Sequence, residues 1–331
     1  MRVWGHIANT LETGSACALV TVAAVKGSTP REPGARMIVR ANGGFFGTIG
    51  GGTLEFEAIR LARSAIKEGY SGLRIRTLSL GPDLGQCCGG RADIALEVIP
   101  VSELEIARDL AEAEASGGPV VTFGTVADGQ PVVRKRWNET PGEPFDLRND
   151  GALVECFGDV KRPLFLFGAG HVGKAAVLAL APLPFKVTWI DPRPDIFPAA
   201  VPANVTKILC GDPALELERA PSGAFILVMT HSHALDEQIV AAALKAQRFD
   251  YCGVIGSQTK RARFRKRLQA RGLSEGVIAN MVCPVGHPDI KSKHPAAIAA
   301  GIAADLLHRN EAAHQQNRAV EGVAQFLALG Q

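Results

Sequence analysis

Leu164-Phe165-Leu166-Phe167-Gly168-Ala169-Gly170-His171-Val172-Gly173 decides how the second half of this chain is read. Its four leading apolar residues predict a buried strand. The glycines then follow at G-x-G-x-x-G spacing, and 174–180 reads as a helix. Gly168 permits the tight turn. Gly170 lets a pyrophosphate approach the main chain, and Gly173 lets the helix pack closely on the strand. The helix N-terminus favours an anion. Asp191 ends the next apolar run, 21 residues after Gly170, where an acid would bond a ribose hydroxyl. Arg193 stands two residues further on, where it would meet a phosphate instead.

Outward from this stretch, short apolar runs at 186–190, 207–210, 225–230 and 252–255 alternate with helical segments. That pattern predicts a parallel sheet covered by helices on both faces. In the strand order 3-2-1-4-5-6 the first and fourth strands are neighbours across the switch point. His171 then lies opposite Thr230-His231-Ser232-His233-Ala234-Leu235-Asp236. The three histidines and Asp236 read as one crevice for ligand contact, proton transfer or a metal. The alternative is that Ser232 caps the next helix and the histidines are simply exposed. Lys260, Arg261, Arg263, Arg265, Lys266 and Arg267 form a basic helix, read either as a phosphate site or as a solvated face.

The first half mixes strands and helices. Strands are expected at 18–25, 73–80 and 92–99, and hairpins at 35–49 and 119–137. Helices are expected at 3–13 and 54–66, and from Ser102, where Glu105 completes a capping-box spacing. The resulting division is a mixed α+β domain over 1–137, a linker over 138–160 with one strand expected at 152–157, a Rossmann-like domain over 161–309 and a tail over 310–331. The fold class is α/β.

Three loops in the first half are hard to explain by packing alone. Gly27-Ser28-Thr29-Pro30-Arg31 gives hydroxyls and one guanidinium at a strand end. Gly50-Gly51-Gly52, three residues before Glu55, exposes backbone amides as an anion nest. Gln86-Cys87-Cys88-Gly89-Gly90 offers adjacent thiols that bridge each other only with strain. Soft sulfur there suits a soft metal, a sulfur-containing ligand or nucleophilic chemistry.

Composition sets the bounds. The 331 residues carry 36 Lys+Arg against 33 Asp+Glu, a balance of +3 that argues against nucleic acid as the main partner. No stretch approaches the ~20 apolar residues of a membrane span. Seven cysteines without C-x-x-C spacing, and no signal-peptide pattern, lead to the expectation of a reduced, cytoplasmic protein.

Taken in order, GSTPR at 27–31, GTIGGGTLE at 47–55, GQCCGG at 85–90, GAGHVG at 168–173, DPR at 191–193, THSHALD at 230–236 and YCGVIGSQTKRARF at 251–264 resemble the XdhC/CoxI family. The resemblance covers about residues 1–308. One departure is Pro284-Val285-Gly286 followed by His287-Pro288, where the family often has leucine.

The resemblance implies an accessory factor of xanthine dehydrogenase maturation, in purine catabolism, and not a catalyst. Such a chaperone binds the molybdenum cofactor, supports its sulfuration by a cysteine desulfurase and delivers it to apo-xanthine dehydrogenase. A second copy of the chain is a further expected partner. The site residues implied are Arg31, Gly50, Gly51, Gly52, Glu55, Gly89 and Gly90, with Cys87 and Cys88 toward the molybdenum. Gly168, Gly170, His171, Gly173, Asp191, Arg193, His231 and His233 complete the set. The Rossmann half stays open between NAD(P) or another nucleotide and the cofactor's pterin. The alternative function is an NAD(P)-dependent oxidoreductase.

Overall fold

The computed structural model describes residues 2–80, 89–138, 143–158 and 161–328, with side chains of the last helix as far as Ala313. The chain divides into two units, Met1–Val160 and Lys161–Gln331.

In the first unit, helix α1 (Val3–Leu11) precedes strands β1 (Cys17–Lys26), β2 (Arg36–Arg40) and β3 (Phe45–Gly47). Helix α2 (Gly52–Lys67), strands β4 (Gly72–Ser79) and β5 (Arg91–Ile99), and helix α3 (Leu104–Ala115) follow. The strands form an antiparallel sheet in the order β3-β2-β1-β5-β4. Both of its faces are covered, which is why β1 is apolar almost throughout instead of alternating. Cys17 and Leu19 pack with Trp4, Ile7 and Leu110 of α1 and α3. Ala18, Val20 and Val22 pack with Leu54, Ala58 and Ala62 of α2. The capping box at Ser102 does not form. Val101–Glu103 is a 3-10 turn, so Ser102 lies inside a turn and α3 starts at Leu104 without a side-chain cap.

The segment 138–160, expected as a linker with one strand at 152–157, carries that strand and a second one before it, and both join the core. Strands β6 (Val120–Thr125), β7 (Val133–Trp137), β8 (Phe145–Leu147) and β9 (Ala152–Phe157) form a second antiparallel sheet, ordered β7-β6-β9-β8. Phe145 and Leu153 are buried against Leu73 and Ala95, so the Pro- and Gly-rich stretch carries core strands. A charged network also ties the two sheets together. Arg134 on β7 donates to both oxygens of Glu97 on β5 at 2.7 Å, and to Glu155 on β9 at 3.0 Å. Arg36 on β2 lies 3.6 Å from Glu155, and it donates to the Cys156 carbonyl at 2.6 Å.

The second unit alternates strands and helices. It comprises β10 (Arg162–Phe167), α4 (His171–Ala179), β11 (Phe185–Asp191), β12 (Val205–Leu209), β13 (Phe225–Val228), α5 (His233–Ala246) and β14 (Tyr251–Val254). Next come α6 (Gln258–Ala270), α7 (Glu275–Ala279), β15 (Met281–Val282) and α8 (Pro295–Ala328). All strand pairs are parallel, in the order β12-β11-β10-β13-β14-β15, the Rossmann order 3-2-1-4-5-6. Leu164 and Leu166 face Ala176 of α4 and Ile302 of α8, while Phe165 and Phe167 face Ile239 of α5 and Phe264 of α6. The segment read as a tail from 310 continues α8 instead. Its start is anchored, since buried Asn310 accepts a hydrogen bond from Arg162 at 3.0 Å. No described helix is long and apolar enough to cross a membrane.

Candidate functional site

Antiparallel pairing brings the first unit's loops to one end of its sheet. Lys26 at the end of β1 pairs with Arg91 at the start of β5, and Met37 near the start of β2 pairs with Gly47 at the end of β3. The loops at 27–31, 48–51 and 89–90 therefore emerge together. They also touch. A Cβ on Gly90 would lie 2.2 Å from the Ser28 carbonyl oxygen, and one on Gly50 would lie 2.4 Å from Pro30 Cγ. Both approaches are closer than any side chain allows, so glycine is required for the loops to meet. Cys87 and Cys88 lie outside the described residues. Beside them, the Leu80 amide donates to the Gly90 carbonyl at 2.8 Å.

The anion nest is formed, but the anion in it is the chain's own. The Glu55 carboxylate accepts from the amides of Ile49 at 3.0 Å, Gly50 at 3.3 Å and Gly51 at 2.9 Å. The Thr48 hydroxyl donates to the same oxygen in a short bond. Burial pushes the Glu55 carboxyl up, but the Thr48 hydroxyl and these amides outweigh it and hold its pKa below the usual range. The expectation that Glu55 and the nest jointly face a ligand is thus revised, because the Ile49, Gly50 and Gly51 amides already have an acceptor. Arg31 is exposed, and its guanidinium has no partner among the described residues. Thr48 and Pro30 complete the arrangement. Both lie inside stretches the sequence singles out, 27–31 and 47–55, but nothing in their spacing assigned either a role. Phe56, beside Glu55, is 66% exposed, unusually open for an aromatic.

In the second unit the glycine loop lies where its spacing put it. A Cβ on Gly168 would be 2.2 Å from the Met229 carbonyl oxygen, and one on Gly173 would be 2.2 Å from the Gly168 carbonyl oxygen. One on Gly170 would meet nothing within 4 Å. Trp189 donates its indole N–H to the Gly168 carbonyl at 3.0 Å. His171, His231 and His233 are exposed at the carboxyl ends of the adjacent strands β10 and β13. Ser232 caps α5 through the Leu235 amide.

Asp236 does not join the histidines, which corrects the crevice expected from sequence. It is fully buried, accepting from the Thr230 amide and hydroxyl at 2.9 and 2.7 Å and from Lys260 at 2.6 Å. Sequence reasoning placed Lys260 with the other basic residues of α6, whereas it anchors the 230–236 turn. Among the described residues no group of three or more His, Cys, Asp or Glu side chains is arranged to hold a metal.

Asp191 is likewise turned inward, 1% exposed, and is held by the Ala169 amide and by Arg193. Burial opposes its charged form, but the Arg193 hydrogen bond and the two amides more than offset this and lower its pKa. A carboxylate with a depressed folded pKa contributes stability above its unfolded value of ~4, and that contribution is lost as pH falls through the folded value. The wild-type melting temperature is therefore expected to drop more steeply between pH 5 and pH 3 than that of Asp191→Asn, as read by differential scanning calorimetry. Parallel profiles would contradict the assignment.

The comparisons with known proteins agree with this architecture. The model of the XdhC and CoxI family matches residues 10–78, and that of the XdhC Rossmann domain matches 164–306. An Escherichia coli (strain K12) protein, described as uncharacterized protein YqeB, is 27% identical over 316 residues. That match covers 93% of this chain but 46% of the relative, so the chain spans about half the relative's length. A Bacillus halodurans crystal structure described as a xanthine dehydrogenase aligns with a TM-score of 0.73 at 22% identity. It covers 93% of this chain and 96% of that one, and shows a shared fold.

Proposed function

The chain belongs to the XdhC and CoxI family, and from that premise we propose that it is an accessory factor in the maturation of xanthine dehydrogenase, and not a catalyst. In this reading it carries the molybdenum cofactor while a cysteine desulfurase supplies the terminal sulfur, and then passes the cofactor to the apo-enzyme. A second copy of the chain belongs to the same proposal. The observation that carries it is the convergence of the 27–31, 48–51 and 89–90 loops at one end of the first sheet. Three motifs far apart in sequence meet there through glycines that admit no side chain, an arrangement that packing of the sheet does not need.

The described residues fit a phosphate-bearing heterocycle in a particular way. With the nest occupied by Glu55, the ligand's phosphate falls to Arg31 and not to the Ile49, Gly50 and Gly51 amides. A Cβ on Gly51 would meet nothing within 4 Å, so the main chain there is open to a flat ring. The thiols of Cys87 and Cys88 are soft donors suited to the molybdenum–sulfur end, which when bound supplies the site that receives sulfur. Their part in this reading rests on residue chemistry and the CCGG motif.

The test is anaerobic purification of the full chain from cells that make the cofactor, with molybdenum and pterin analysis. Wild type is expected to carry both. Cys87→Ser and Cys88→Ser should each lower bound molybdenum about tenfold, since serine is harder and stays protonated. Circular dichroism controls for folding. Unchanged molybdenum in the folded double variant would overturn the role of the thiols, and wild type free of pterin would overturn the cargo.

A further inference from the structure

In a Rossmann fold the acid at the end of the second strand takes the ribose hydroxyls of NAD. Asp191 stands at that place, at the end of β11. A carboxylate offers about four acceptor sites. In Asp191 all four have in-chain donors. Oδ2 accepts from the Ala169 amide at 2.7 Å and from Arg193 Nη2 at 2.8 Å. Oδ1 accepts from the Arg193 amide at 3.0 Å and from its Nε at 2.9 Å. The residue is 1% exposed, so a ribose diol finds neither access nor a free lone pair. The dinucleotide that the fold suggests does not fit this acid.

The same bonds orient a cation. Nε and Nη2 of Arg193 grip Asp191 as a planar fork, which holds the guanidinium in one orientation. The side chain is 38% exposed, and Nη1 has no partner among the described residues. Its outward edge lies at the carboxyl end of the sheet, where ligands of such folds bind. The space at Gly170 on the neighbouring turn is open. The Asp191 charge lies behind the guanidinium, so an approaching anion meets the cation first. A planar guanidinium edge with free N–H groups matches phosphate oxygens and gives nothing comparable to a neutral diol.

We propose that the crevice of the second unit binds a ligand carrying a phosphomonoester, selected by Arg193, and refuses the free ribose diol of NAD. Asp191 is a positioning residue: it fixes the turn at Ala169 and aims Arg193. The phosphomonoester belongs either to a nucleotide 2′-phosphate or to a phosphorylated pterin. The inference concerns the second unit alone and stands or falls separately from the thiol test.

Titration calorimetry on the full chain distinguishes the two sources. The probes are NADP⁺ against NAD⁺, and a pterin monophosphate against the same pterin without phosphate. At least one phosphorylated member is expected to bind about tenfold or more tightly than its counterpart, the scale of a charge-assisted hydrogen bond. The pair whose preference depends on Arg193 identifies the source, and a pterin preference that instead depends on Arg31 belongs to the first unit. Arg193→Gln is expected to bring that preference within about twofold. Arg193→Lys, which keeps the charge and loses the fork, should fall between and serves if the Gln variant does not fold. The proposal is overturned if NAD⁺ binds measurably and as tightly as NADP⁺, if neither phosphorylated probe binds at millimolar concentration, or if the preference survives in the folded variants.

Discussion

Arg134→Ala is expected to lower the stability of the first unit by about 3–5 kcal/mol, the scale of removing one partner from a buried ion pair. Arg134 is 4% exposed, Glu97 4% and Glu155 1%. Truncation leaves Glu97 without a counter-charge and close to the Glu155 carboxylate, and burial already pushes the Glu97 carboxyl up. Arg36 remains, but at 3.6 Å from Glu155 it does not reach Glu97 in place of the lost fork. Urea unfolding of the full chain reads the loss. The exposed pair Arg148–Asp146 is the control, and Arg148→Ala should change stability by less than ~1 kcal/mol. Replacing Arg134 by Met together with Glu97→Leu, with Glu155 left paired to Arg36, should recover most of the loss, because apolar packing is often no worse than the ionic pair it replaces. A single-variant loss below ~1 kcal/mol would show that water reaches the network.

Gly50→Ala is expected to disrupt the loop cluster far more than Gly51→Ala, although the two are neighbours. Both have positive φ, +129° and +77°, so either alanine carries backbone strain of about 1–3 kcal/mol. Only the Cβ on Gly50 also collides, at 2.4 Å from Pro30 Cγ and 2.8 Å from Pro30 Cβ. The proline ring cannot turn aside as a flexible side chain would, so the 27–31 loop has to move. Gly50→Ala should therefore lower the melting temperature well beyond Gly51→Ala, whose modest loss reflects backbone strain alone. Equal melting temperatures for the two variants would sink the claim that loop contact matters.

Much of the second unit was legible in sequence, because its strands are apolar runs and its glycines stand at spacings fixed by a tight turn. The strand order also followed, since the parallel connections of this fold leave few arrangements. The first unit was legible as elements and loops but not as layers. The stretch 138–160 read as a linker with a single strand at 152–157 because Pro and Gly punctuate it, yet β8 lies within it as well and both strands are part of the core sheet. The pairing of β9 with β6 is a long-range event that local composition does not record. The tail misread has a similar origin, since polar residues beyond 310 hide a helix whose start is anchored by Ile302, Leu306 and Asn310.

The sequence by itself determined which residue types are available for chemistry, and the spacing of the glycine turn from Gly168 to Gly173. It also carried the resemblance of the 27–31, 47–55 and 85–90 loops to the motifs of one family. Only the tertiary structure decided which of those groups remain free for a ligand. Glu55 and Asp191 both looked like ligand-facing acids, and both are engaged by the chain's own amides and hydroxyl or guanidinium donors. Asp236 likewise turns to Thr230 and Lys260. The physical reason is common to all three. A carboxylate near a helix start or a strand end takes the nearest unsatisfied donors, because a buried or half-buried charge without them is costly. Which donors are nearest depends on how the chain closes in space, and no spacing along the sequence encodes that.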